Sequence, residues 1–96
     1  MEKTSNDIYL AVAKEILESN FDKNEYAIGS RKDCAVCIEE KGDEWIVYET
    51  EKGNDYDKST FMTVIEALMN MFDRLSLNPR EIKNAFLSKL TAKMTA

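Results

Sequence analysis

CAVCIEEKGDEWIVYETE, residues 34–51, is the stretch on which the fold turns. Glu44 to Glu51 concentrates Trp, Ile, Val, Tyr and Thr, the aromatic and β-branched residues that suit a pleated surface. Cys34 to Lys41 is an apolar run that becomes charged, and Gly42-Asp43 between the two fits a tight hairpin turn. Two antiparallel strands are therefore expected. In the second, alternation puts Trp45, Val47, Glu49 and Glu51 on one face and Ile46, Tyr48 and Thr50 on the other.

Upstream, Tyr26 and Ile28 alternate with polar or small neighbours, and Gly29-Ser30 with Arg31-Lys32-Asp33 carries turn chemistry, so a first short strand ends near Ser30. Downstream, residues 52–58, KGNDYDK, hold so much Gly, Asn and Asp that an exposed loop is expected. A short fourth edge strand around Tyr56 to Phe61 would complete a sheet of three or four antiparallel strands.

The flanks read as helices. From Ser5 to Ser19 the apolar positions Ile8, Tyr9, Val12, Ala13, Ile16 and Leu17 recur at helical spacing, with Ser5 or Asn6 as cap and residues 20–24 as exit turn. Thr63 and Glu66 have the form of a capping box ahead of Val64, Ile65, Leu68, Met69, Phe72 and Leu75. Asn78-Pro79-Arg80-Glu81 starts a third helix, with Leu77 placed to staple against Ile82 and an inner stripe of Ile82, Phe86 and Leu90 that Met94 would extend. The predicted fold is α+β: an N-terminal helix, an antiparallel sheet, and two C-terminal helices packed on that sheet. With 96 residues, no repeat and no linker, residues 1–96 are expected to form one domain.

Charge bounds the partners. The net charge of −5 argues against nucleic acid and against an anionic membrane. Between Glu39 and Asp57 eight acids face two lysines, while from Arg80 onward four bases face one acid, so the chain is polarised with its negative end in the middle. The N-terminus MEKTSND is polar, and no apolar run approaches the roughly 20 residues of a membrane span, which predicts a cytoplasmic protein.

Chemistry-bearing residues are sparse. There is no histidine, hence no Ser-His or Cys-His nucleophile and no usual general base, and the three glycines are too far apart for a phosphate loop. Cys34 and Cys37 form a CxxC string, but residues three apart on a strand face opposite sides and no further Cys or His ligand exists, so core packing is the expected role of both. Glu49 and Glu51, with Asp55 and Asp57 following, offer a metal or acid/base site only as a minor alternative to a solvated strand end. No cofactor, metal or catalytic residue is assigned. These acids are instead expected to rim a protein interface made of Glu39, Glu49, Glu51, Asn54, Asp55, Tyr56 and Asp57. Trp45, Tyr48 and Tyr56 are the candidate aromatic anchors, Trp45 more often core than contact.

Tyr26-Ala-Ile-Gly29, the run from Cys34 to Glu39, Trp45-Ile-Val-Tyr48 and Glu51-Lys-Gly-Asn54 resemble, in that order, segments of small immunity proteins of bacterial polymorphic toxin systems. The resemblance covers Tyr26 to Leu68. It implies a small cytoplasmic α+β protein that binds and neutralises a cognate toxin domain, often a nuclease or another enzyme with a basic cleft that an acidic patch would complement. A cytoplasmic regulatory or adaptor module is the alternative, homodimeric if the helices expose more apolar surface than the sheet covers.

Overall fold

The computed structural model describes residues 5–95. Helix α1 (Ser5–Asn20) is followed by strands β1 (Tyr26–Ile28), β2 (Val36–Lys41), β3 (Glu44–Glu51) and β4 (Asn54–Phe61), then by α2 (Val64–Leu75) and α3 (Pro79–Thr95). The fold is α+β, as the sequence predicts. Strand order in the sheet is β1-β2-β3-β4.

Both hairpin turns contain two residues. Gly42 has a positive φ and Asp43 does not, the pattern of a type II′ turn, whereas Lys52 and Gly53 are both positive, the pattern of type I′. The second turn corrects the expected loop. Residues 54–58 continue the sheet as exposed strand, with 54–56 paired to β3, so β4 begins two residues before Tyr56.

The sheet is mixed rather than antiparallel, because β1 runs parallel to β2 with Tyr26 opposite Val36. Parallel neighbours usually need a crossover of a dozen or more residues. Here residues 29–35 suffice, since β1 is only three residues long and the return path is roughly 10 Å, well within the reach of seven residues. Hydrogen bonds from Gly29 N–H to the Ile38 carbonyl (2.8 Å) and from Val36 N–H to the Glu25 carbonyl (2.9 Å) close the pair at both ends.

One face of the sheet carries the main core. Tyr26, Val36, Ile38, Trp45 and Val47 pack there with Val12, Ile16 and Leu17 of α1 and Val64, Leu68, Met71 and Phe72 of α2. Helix α2 lies on β2, β3 and β4, while α3 packs behind it on α1 and α2 rather than on the sheet as expected. Ile82, Phe86 and Leu90 form the buried stripe of α3, and Met94, half exposed, does not extend it. Leu77 is fully exposed, so it makes no staple with Ile82. The inner face of α2 includes Ala67 and Met71, while Ile65, Met69 and Leu75 only flank it. Thr63 caps α2 by accepting from Glu66 N–H at 3.2 Å, and its hydroxyl donates to the Glu66 carboxylate at 2.9 Å. Ser5 and Asn6, the expected caps of α1, lie within the helix instead of before it. Among the described residues no helix is long and apolar enough to cross a membrane.

Candidate functional site

The opposite face of the sheet holds a smaller cluster of Ala27, Ala35, Cys37 and Tyr48, with Ile46 at its edge. Residues 29–35 fold over part of this face and are tied to it by Thr50, which is buried. Its hydroxyl donates to the Lys32 carbonyl (2.5 Å) and accepts from Ala35 N–H (3.1 Å). Cys37 is core, as expected, but Cys34 is exposed. It lies just before β2 with a φ of 56°, so its side chain is not part of the strand's alternation.

Strand β4 contains an extra residue. Val47 faces Ser59 and Glu49 faces Tyr56, which leaves Asp57 and Lys58 opposite the single residue Tyr48. Asp57 adopts a left-handed φ of 53°, a conformation aspartate tolerates better than most residues. The bulge has a packing reason. Tyr56 and Phe61 are five apart and would face opposite sides of a regular strand, yet both sit on the helix side, Tyr56 opposite Glu49 and Phe61 opposite Trp45.

Arg74, in the last turn of α2, meets the bulge. Its guanidinium donates to Asn70 Oδ1 (2.8 Å), Glu49 Oε2 (3.1 Å), the Asp57 carbonyl (2.6 Å) and Ser59 Oγ (3.1 Å). Beyond it a cleft of about 270 Å³ opens between the end of α2 and the β3–β4 hairpin, lined by Glu25, Cys34, Glu49, Glu51, Tyr56 and Arg74 among others.

The seven residues expected at the interface therefore do not make one patch. Glu49, Glu51, Asn54 and Tyr56 share the helix side of the hairpin, Glu39 and Asp55 belong to the opposite face, and Asp57 forms the bulge between them. Three of the acids have internal partners: Glu49 pairs with Arg74, Asp55 with Arg31 (2.8 Å), and Glu39 accepts the Tyr48 hydroxyl. Glu51 and Asp57 have no ion-pair partner among the described residues. Of the three aromatic anchors, Trp45 and Tyr48 are buried and only Tyr56, 42% exposed, presents its ring. Partial desolvation, with Glu51, Glu49 and Asp57 nearby, raises the Tyr56 hydroxyl pKa above its ordinary value. Burial and the bond to Glu39 do the same for Tyr48, and Lys58 lies over the Tyr48 ring.

Asp33 links the 29–35 loop to the hairpin tip, its carboxylate accepting Gly53 N–H at 2.9 Å. That bond, then contacts with Cys34, Arg31 and the Lys52 N–H, hold its pKa below the ordinary 3.8. A carboxylate depressed by folding stabilises the contact above its unfolded value, and the contribution is lost as pH falls through the folded one. The Gly53 amide shift is therefore expected to follow Asp33 with a midpoint below 3.8, as read by an NMR titration. A midpoint at or above that value would mean that the contact does not hold in solution.

Comparison with protein-family models, with curated proteins and with solved structures finds no match.

Proposed function

We propose that this chain is a protein-binding inhibitor, an immunity protein that occupies a basic surface of a cognate toxin domain in the bacterial cytoplasm, without covalent chemistry or cofactor. The observation that carries the reading is Tyr56: a half-exposed aromatic ring on an edge strand, facing Glu49 and beside Glu51 and Asp57, at the mouth of a cleft. Exposed tyrosines commonly anchor interfaces, and carboxylates around such an anchor accelerate encounter with a basic partner. Glu51 and Asp57 supply the uncommitted charge, while Glu49, Asp55 and Glu39 serve mainly as scaffold.

The test is titration calorimetry of the full chain against the cognate toxin's C-terminal domain, which the gene directly upstream of an immunity gene is expected to encode, at low and moderate salt. Tight, salt-weakened binding is expected. Tyr56→Ala should weaken it by about 30-fold, the effect of a loss near 2 kcal/mol. Glu51→Gln with Asp57→Asn should lower the association rate and flatten the salt dependence at unchanged stability. Absence of binding would reject the inhibitor reading.

A regulatory adaptor is the second reading, favoured by the exposed Leu87 and Met94 of α3, on which a second copy would pack. Light scattering distinguishes it, since an adaptor of this kind is a dimer that Leu87→Glu dissociates.

A further inference from the structure

The bulge at Asp57 is one of two ways of pairing β4 with β3. From Trp45 to Val47 the pairing follows one register, with Phe61, Thr60 and Ser59 as partners. From Glu49 to Glu51 it follows another, one residue out, with Tyr56, Asp55 and Asn54 as partners. Extending the first register to the end of the hairpin removes the bulge. Thr50 then faces Tyr56, Glu49 faces Asp57 and Glu51 faces Asp55. The turn becomes the three residues 52–54, closing on Asn54, a residue that tolerates the left-handed conformation such a turn requires.

A one-residue slip exchanges the two faces of a strand. In the straight register Asp55 and Asp57 would join Glu49 and Glu51 on the helix side, and Tyr56 would move to the opposite face. In the observed register Tyr56 and Asn54 stand beside the two glutamates and Asp55 reaches Arg31.

We propose that Arg74 is the positioning residue that selects the bulged register, and so decides that Tyr56 and not a pair of aspartates is presented beside Glu49 and Glu51. Its fork holds three points on the two strands at once: the Glu49 carboxylate, the carbonyl of the bulge residue Asp57, and the Ser59 hydroxyl just past it. Asn70 fixes the same guanidinium from within α2. The straight register moves the Asp57 carbonyl and dissolves this arrangement. Arg74 is largely buried, so its bonds are little weakened by solvent.

The importance of this selection for binding rests on the proposed role of Tyr56, but the selection itself is measured without a partner. In NMR spectra of the labelled full chain, cross-strand contacts of Thr50 should run to Asp55. In R74Q residues 54–59 are expected to give two sets of signals, the second with Thr50 contacting Tyr56. Adding D57G should restore a single set, because glycine takes the left-handed conformation without strain and stabilises the bulge by itself. A role of Arg74 confined to holding the end of α2 would not be rescued at position 57. One unchanged set of signals in R74Q, or two sets that persist in D57G/R74Q, would overturn the proposal. Should R74Q fail to fold, R74K provides the same reading: it retains the charge but not the fork, so a second register is expected and its absence counts against the selection. Against the upstream-encoded domain, R74Q should bind several-fold more weakly and D57G/R74Q as D57G alone does. A register change with no binding in any variant would leave Arg74 as the selector and remove the inhibitor reading instead.

Discussion

Replacing Phe72 by alanine is expected to cost about 3–5 kcal/mol, because a fully buried aromatic ring is lost and the surrounding structure refills the space only in part. Phe72 is the contact at which the layers meet. It is buried on α2, and its ring lies 5.5 Å, centroid to centroid, from Phe86 of α3. Domains of this size have about 5–15 kcal/mol in total, so the variant should lose a substantial fraction of its stability. Urea denaturation followed by circular dichroism measures the change, with Leu77→Ala as the control expected to stay within about 0.5 kcal/mol. A loss below about 1.5 kcal/mol for Phe72 would mean that the α2–α3 seam is not packed as described.

Thr50→Val should act differently, by releasing a segment while most of the core remains. Valine keeps the branched shape, but its missing hydroxyl leaves the Ala35 N–H without that acceptor and removes the donor to the Lys32 carbonyl. Stranding the buried Ala35 N–H costs about 1–3 kcal/mol, while the Lys32 carbonyl keeps the Cys37 thiol as a donor at 3.5 Å. The loss should concentrate in residues 29–35, whose amide hydrogens would exchange faster than those of β2 and β3 in the same molecule. Thr50→Ser, which keeps the oxygen, should exchange as the parent does. Equal protection of this loop in Thr50→Val would show that the loop is held by other contacts.

The elements whose patterns are local were legible in the sequence. The period of α1, the Thr63 cap, Pro79 at the first position of α3 and the Gly42-Asp43 turn each depend on neighbours within a few residues, and each is found where expected. Features that depend on distant partners were not. The direction of β1 is set by how a three-residue strand meets β2, and nothing within Tyr26-Ala-Ile28 encodes it. Leu77 has an apolar side chain at the staple position, but the chain between α2 and α3 turns it into solvent. The acidic run is visible as composition, yet its division between two faces follows from a bulge whose only trace in the sequence is the odd spacing of Tyr56 and Phe61. The pairing of Arg31 and Arg74 with acids 24 and 25 residues away has no sequence signature at all.

The sheet's sequential strand order has a consequence for the timing of folding. Each strand pairs with its predecessor in the chain, so the four can zip together through short loops, with little entropy lost at each closure. The contact between α1 and α3 is of the other kind, joining segments on either side of the whole sheet. During synthesis α1, the sheet and α2 emerge before α3, while Phe72 waits for the ring of Phe86. Until α3 leaves the ribosome, the newborn chain has a finished sheet and an uncovered back, and it is in that interval that it is most vulnerable to aggregation.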